Sequence, residues 1–250
     1  MRVLTEVCVT GLEEALVATH AGADHLELCA WLECGGVTPS IGMVRAVAEA
    51  CAIPVRVLVR PRPGEMRYDR HDRVILLRDV EAFCQEPAVT GVVTGALDRD
   101  AMPDRPLMAE VMRIAAGREV TFHRAMDHAA DPVGAIASCK DLGIQRVLTS
   151  AGAMRAIDGV PVLAAMCARA GHAMTVAAGG GVAAAHVVDL VQRTAVPEVH
   201  FSARRWVAPS THAGERVELS SSGASMPVPW VPDAEKTRAI IHALVQAGLR

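Results

Sequence analysis

Acidic and histidine side chains stand inside several apolar runs of this sequence, where a charge is costly unless it has a partner. Glu6, Glu27 and His123 are the candidates for acid/base chemistry, because carboxylates and imidazoles transfer protons near neutral pH. Two buried carboxylates repel each other, so we expect Arg60 or a bound metal ion to balance them. The alternative is a polar layer of Glu–Arg pairs that performs no chemistry.

Two cysteines repeat in the same setting, in "EVC" (6–8) and "ELC" (27–29). A pair of thiolates at Cys8 and Cys29 would suit Cu(I), a soft ion. The alternative is that both pack as small apolar residues. Zinc is not favoured, since the sequence has no CxxC pair and its ten histidines are scattered.

A third group of residues indicates a site for a small anionic ligand. "AAGGGV" (177–182) and "FSARR" (201–205) follow the last two apolar runs, and "RPRPGE" (60–65) and "LTSAG" (148–152) follow earlier ones. Backbone amides of such loops often hold phosphate, although the glycines could serve tight turns alone. The predicted anion-binding residues are Arg60, Arg62, Ser150, Gly180, Gly181, His200 and Ser202.

Eight strands separated by helical segments would position these groups. The predicted strands are Thr5–Val9, His25–Cys29, Val55–Arg60, Gly91–Thr94, Val120–His123, Arg146–Thr149, Thr175–Ala178 and Glu198–Ser202. Eight βα units are what a closed (β/α)8 TIM barrel requires. An open doubly wound sheet is the rival, but the first turn, "CVTGLEE", lacks the glycine pattern of a dinucleotide site.

Side-chain alternation along these strands places the polar residues on one face, towards the barrel axis, and the apolar residues under the helices. Helix starts are predicted at a capping box, Thr10 to Glu13, and at Asp131-Pro132. Residues 203–232 show no periodicity and predict an irregular loop on the catalytic face, where lids and homodimer contacts occur. A closing helix is expected over 233–247, within one domain spanning 1–250.

Bulk properties exclude several classes of protein. The net charge of −3 does not favour a nucleic-acid partner, and no apolar run is long enough to cross a membrane. The chain opens directly on an apparent strand without a leader, so we expect a cytoplasmic protein whose seven cysteines are thiols. Only Lys140 and Lys236 are present, and neither ends a strand, which argues against Schiff-base chemistry.

The motifs together resemble the CutC family of copper homeostasis proteins. The resemblance runs from Glu6 to Ala203 and rests on "LELCAWLECGGVTPS", "VLVRPRPGEMRY", "TFHRAMD", "RVLTS", "AGGGV" and "VHFSA". It implies a TIM barrel, a cytoplasmic role in copper handling, and Cu(I) ligands at Cys8 and Cys29. Cys34 departs from the family pattern, which usually has Glu at that position, so it would add a thiol or remove an acid.

Two functions are therefore expected. The first is a copper-binding protein of the cytoplasm. The second is an enzyme of isomerase or lyase type that acts on a phosphorylated or carboxylated metabolite, with acid/base residues Glu6, Glu27 and His123. A divalent metal ion on glutamate and histidine is compatible with the second.

Overall fold

A closed barrel of eight parallel strands, β1 to β8 in sequence order, forms the centre of the molecule. The computed structural model describes residues 2–207 and 230–250. The strands are β1 Leu4–Val9, β2 His25–Leu28, β3 Val55–Leu58, β4 Val89–Thr94, β5 Glu119–Phe122, β6 Arg146–Thr149, β7 Thr175–Gly179 and β8 Glu198–Ser202. The helices are α1 Leu12–His20, α2 Ile41–Ala50, α3 Arg70–Cys84, α4 Arg105–Ala115, α5 Pro132–Asp141, α6 Val160–Ala170, α7 Val187–Thr194 and α8 Ala234–Gln246. The predicted (β/α)8 barrel is confirmed.

Three strands end earlier than the sequence predicts. β2, β3 and β5 stop before Cys29, Arg60 and His123, which lie at the start of the following loops. His123 leaves the strand because it caps the next turn: its Nδ1 accepts a hydrogen bond from the Ala125 amide at 3.1 Å. The chemistry-bearing side chains thus lie where strands become loops, at the carboxyl-terminal mouth of the barrel.

The two predicted helix starts differ in outcome. Asp131 caps α5 through a 2.9 Å hydrogen bond from the Gly134 amide, as expected. The capping box predicted for the first helix is wrong, because α1 begins after Gly11, which has no side chain to cap it. Glu14, not Glu13, reaches back and accepts a 2.6 Å hydrogen bond from the Thr10 amide.

Apolar strand residues pack beneath the helices as the alternation predicts. Val7, Leu26, Phe122 and Val199 are all buried in the main hydrophobic core. Their strand neighbours of opposite parity face the barrel axis and include most of the buried charged side chains. The apolar layer holds the barrel together, and the axis is left to polar groups.

The segment after β8 is not irregular at its ends. Arg204–Trp206 (β9) and Trp230–Pro232 (β10) pair as a short antiparallel ribbon. The rest of the predicted loop, 208–229, lies outside the described residues. Helix α8 follows Asp233, whose carboxylate caps it, in agreement with the predicted closing helix. Within 2–207 and 230–250, no helix is long and apolar enough to cross a membrane.

Candidate functional site

Four charged side chains meet on the barrel axis and form what we call the charge layer: Glu6, Arg56, Arg146 and Glu198. Glu6 Oε2 lies 2.6 Å from Arg56 Nη1, and Glu6 Oε1 lies 2.5 Å from Arg146 Nη2. Arg146 Nη2 also lies 2.9 Å from Glu198 Oε1. All four are buried, so each charge is balanced by partners rather than by water.

The charge layer corrects two expectations. The negative charge of Glu6 is balanced by Arg56 and Arg146, which lie at the same depth in the barrel as Glu6. Arg60 does not balance it. Burial raises the pKa of Glu6, but Arg146 and Arg56 outweigh burial and hold it well below its ordinary value. Glu6 therefore lies beneath the mouth as an ion-paired carboxylate, which argues against the acid/base role that the sequence predicted for it.

A cavity of about 290 Å³ opens at the mouth of the barrel, above the charge layer. We call it the mouth cavity. Most of the predicted site residues line it: Cys8, Glu27, Cys29, Arg60, His123, Gly180, Gly181, His200 and Ser202. Arg124, which was not among the predicted site residues, lines it as well. The structure thus brings the acid/base, thiol and anion-binding candidates into one volume.

The two cysteines of the repeated motif are neighbours in this cavity. Strand stagger pairs Cys8 with Glu27 rather than with Cys29, which leaves Cys8 between the two. The Cys8 and Cys29 sulfur atoms are 3.6 Å apart, and Cys8 Sγ lies 3.9 Å from Glu27 Oε1. The hydrogen bond with Cys29, together with burial and the charges of Glu27 and Glu6, raises the pKa of Cys8 well above its ordinary value. Without a cation, the Cys8 thiol keeps its proton.

His200 adds a nitrogen ligand to this group. Ligand atoms of Cys8, Glu27 and His200 all lie within 4.8 Å of one another. The Nδ1 atom of His200 lies 2.8 Å from Glu6 Oε1, which leaves Nε2 for the mouth cavity. Burial lowers the pKa of His200, but Glu27 and the bond to Glu6 outweigh burial and raise it. The charge layer therefore orients a possible metal ligand.

Three buried polar atoms of the cavity residues have no hydrogen-bond partner among the described residues: Glu27 Oε2, Arg60 Nε and His123 Nε2. Burial raises the pKa of Glu27, with opposing effects from His200 and from Glu6. Burial and the charge of Arg60 lower the pKa of His123 to about 3. Unpaired buried polar atoms destabilise a fold, so three of them around one cavity indicate a ligand.

Arg62, Ser150 and Cys34 do not line the mouth cavity. Arg62 pairs with Asp72 in the first turn of α3 at 2.7 Å. The Ser150 hydroxyl lies 3.0 Å from Asp127 Oδ2 and 2.6 Å from the Ala153 carbonyl, so it connects the loop after β6 with the loop after β5. The Cys34 thiol donates to the Trp31 carbonyl and does not join the Cys8–Cys29 pair.

A wider groove of about 640 Å³ lies outside the barrel between α3 and α4. Charged side chains of both signs line it, and none of its lining residues has an unpaired buried polar atom. The mouth cavity is smaller, but of these two cavities it is the one whose lining residues have buried polar atoms without a partner among the described residues.

Comparison with known proteins assigns the family. The model of the CutC family matches residues 3–205. The chain belongs to the CutC family. The CutC family protein of Photobacterium profundum is 34% identical, over 98% of this chain and all of the relative. The CutC family protein of Xanthomonas campestris pv. campestris strain 8004 is 41% identical, over 83% of this chain and 86% of the relative.

Solved structures agree with the family. The structure of CutC from Streptococcus agalactiae, a protein assigned to copper homeostasis, covers 80% of this chain and 98% of its own. Its TM-score is 0.75 at 25% identity. Phosphoribosylanthranilate isomerase from Thermotoga maritima covers 98% of this chain and 99% of its own, with a TM-score of 0.59 at 12% identity. That second likeness shows the barrel fold alone.

The sequence left Arg146 and Glu198 out of the candidate residues of this CutC-family chain. Glu198 has the same parity as His200 and Ser202, so alternation would have placed it on the axis. Arg146 opens β6 and shares a face with Leu148, a residue that lines the mouth cavity. Both signals were present in the sequence, but each residue opens its strand and so lies far from the carboxyl-terminal strand ends, where catalytic groups are sought.

Proposed function

We propose that this CutC-family chain binds Cu(I) in the cytoplasm and acts in copper homeostasis, with Cys8 and Cys29 as its main ligands. The observation that carries the proposal is the 3.6 Å contact between these two sulfur atoms at the mouth cavity. Thiolate sulfur is a soft donor, which suits Cu(I) better than carboxylate or water oxygen does. All seven cysteines are free, which is in keeping with a reducing compartment.

The residues around the sulfur pair fit a single metal ion. Two thiolates that share an ion, each about 2.3 Å from it as in zinc sites, lie at most about 4.6 Å apart. The observed separation is within that limit. Glu27 and His200 stand close enough to Cys8 to complete the ligand set. Glu6 holds the His200 ring from behind, which is the support that metal-binding imidazoles commonly have.

An anaerobic Cu(I) titration against a competing chelator tests the proposal. We expect one tightly bound ion per chain, and loss of that binding in the double variant Cys8→Ser/Cys29→Ser. The matched control is Cys84→Ser/Cys167→Ser, which removes two half-buried thiols from α3 and α6. The proposal fails if both double variants bind Cu(I) as tightly as the wild type, or if Zn²⁺ displaces Cu(I) at equal concentration.

A second candidate function is acid/base catalysis on a small phosphorylated or carboxylated metabolite by an isomerase or lyase. The observation that favours it is the position of Glu27, whose Oε2 atom is buried, unpaired and part of the mouth cavity lining. A carboxyl group in that position can exchange a proton with a bound molecule. Gly180, Gly181 and Ser202 would lie against the ligand. A divalent ion on Glu27 and His200 is compatible with this chemistry.

A thermal-shift screen of phosphorylated and carboxylated metabolites tests the second candidate, because a ligand that binds the folded state raises Tm. We expect at least one metabolite to raise Tm for both the wild type and Glu27→Gln. Only the wild type should convert it, with about a 100-fold or greater rate loss in the variant. A screen in which no metabolite raises Tm, or a Glu27→Gln variant that reacts at the wild-type rate, would rule out this role.

A further inference from the structure

Arg60 carries a buried positive charge with no acidic partner among the described residues. Its side chain is 4% exposed, and its guanidinium donates only to backbone carbonyl groups, those of Cys34, Gly36 and Gly64. These bonds fix the guanidinium between two loops, but carbonyl groups do not neutralise a charge. A buried cation without an anion is strongly unfavourable, so the site has a place for a negative group.

His123 presents a second donor to the same cavity. The Ala125 amide donates to Nδ1 at 3.1 Å, so Nδ1 holds a lone pair and the neutral ring carries its proton on Nε2. That Nε2–H is buried and has no partner in the described part of the chain. The low pKa of His123 agrees with a neutral ring at physiological pH.

We propose that Arg60 and His123 form a binding site for a small oxyanion, a carboxylate or a phosphate group, on the wall of the mouth cavity. Arg60 Nε–H and His123 Nε2–H are both buried donors without a partner among the described residues, and both residues line the mouth cavity, so each has a hydrogen bond to offer to an oxyanion there. The site goes beyond copper binding, since neither residue belongs to the sulfur pair. The proposed site deepens the second candidate function, because it identifies Arg60 and His123 as the residues that would hold the carboxylate or phosphate group of a substrate.

The volume limits the size of the ligand. A cavity of about 290 Å³ holds on the order of ten water molecules at about 30 Å³ each. The ligand is therefore a small molecule or a free ion. His123 acts here as a hydrogen-bond donor that positions the ligand, whereas the sequence predicted an acid/base role for it.

Nuclear magnetic resonance of the metal-free wild-type protein, labelled uniformly with ¹⁵N, tests the inference directly. The probes are sodium acetate and inorganic phosphate, with sodium chloride at equal ionic strength as the control. We expect the His123 ring to show the Nε2–H form, and its Nε2 signal to shift saturably with one oxyanion at a Kd below about 10 mM. The anion that saturates distinguishes the carboxylate from the phosphate source.

Two variants separate the donor from the local fold. His123→Asn keeps an oxygen near the Nδ1 position for the Ala125 amide but has no donor near Nε2, whereas His123→Gln restores an N–H close to Nε2. The amide signals of Gly180 and Gly181 report oxyanion binding in both variants. The affinity for the oxyanion should weaken about 10-fold or more in the Asn variant. It should stay within about 3-fold in the Gln variant.

Oxyanion binding and copper binding should be independent of each other. The Cys8→Ser/Cys29→Ser variant should bind the oxyanion like the wild type, and His123→Asn should bind Cu(I) like the wild type. The inference is overturned by an Nδ1–H ring, by wild-type signals that do not saturate with either anion, or by unchanged binding in His123→Asn. Oxyanion binding without any turnover would refute the enzyme candidate and leave this site standing.

Discussion

Replacing His123 by Asn should flatten the dependence of stability on pH between pH 7 and 5. Burial and the Arg60 charge lower the pKa of His123 to about 3 in the folded chain, whereas an unfolded histidine titrates near about 6.5. The unfolded state therefore takes up a proton in this window and the folded state does not. Stability that is present above about pH 6.5 is lost as the pH falls towards the folded pKa.

The magnitude follows from the linkage relation. A free energy of RT ln(1 + 10^(pKa − pH)) favours the unfolded state, and it is about 0.2 kcal/mol at pH 7 and about 2.1 kcal/mol at pH 5 for a pKa of about 6.5. The difference, about 2 kcal/mol, does not depend on the exact folded pKa as long as that value lies well below 5. For a chain of this length it corresponds to a decrease in Tm of about 4–8 °C.

Urea unfolding at pH 7, 6 and 5 measures the effect. We expect the free energy of unfolding of the wild type to fall by about 2 kcal/mol more than that of His123→Asn over this range. His128→Asn, which removes an exposed histidine from the same loop, is the control. Equal slopes for wild type and His123→Asn would refute a neutral buried ring at position 123, and with it the tautomer on which the oxyanion site depends.

Three further changes test other parts of the structure. Arg146→Met should lower the free energy of unfolding by about 3–5 kcal/mol in urea denaturation, because it leaves two buried carboxylates without that partner; a loss below about 1 kcal/mol would contradict the charge layer. Gly36→Ala should lower it by about 1–3 kcal/mol, because its φ is +84° and a Cβ would lie 2.7 Å from a Leu58 methyl group; an unchanged Tm would show that the loop adapts. Asp127→Ala should increase hydrogen exchange of the Ser150 and Gly152 amides, which donate to its carboxylate at 2.8 and 3.3 Å, and unchanged protection would assign those amides to other acceptors.

Much of this fold could be predicted from the sequence because barrel strands alternate strictly. The alternation placed Glu27 and Cys29 on the axis side and Leu26 and Leu28 in the outer hydrophobic core, as the structure shows. The count of eight strands was correct for the same reason: each apolar run is bounded by turn or helix-start residues. These are local patterns, and local patterns are visible in a single sequence.

The depth of each side chain along the axis could not be predicted. Arg56 and Arg60 have the same parity in one apolar run, yet Arg56 lies in the charge layer and Arg60 at the mouth. Which of them meets Glu6 depends on the stagger between neighbouring strands and on closure of the barrel. The Arg146–Glu6 pair joins residues 140 positions apart and arises only when β1 and β6 face each other across the axis.

The charge layer has a consequence for any cargo of this protein. The ion pairs of the charge layer fill the barrel axis just below the mouth cavity, so they leave no channel through the barrel at that level. Whatever enters must leave by the same opening. A copper ion held at Cys8 and Cys29 would then pass only to a recipient that reaches the mouth cavity from outside and exchanges ligands with the ion.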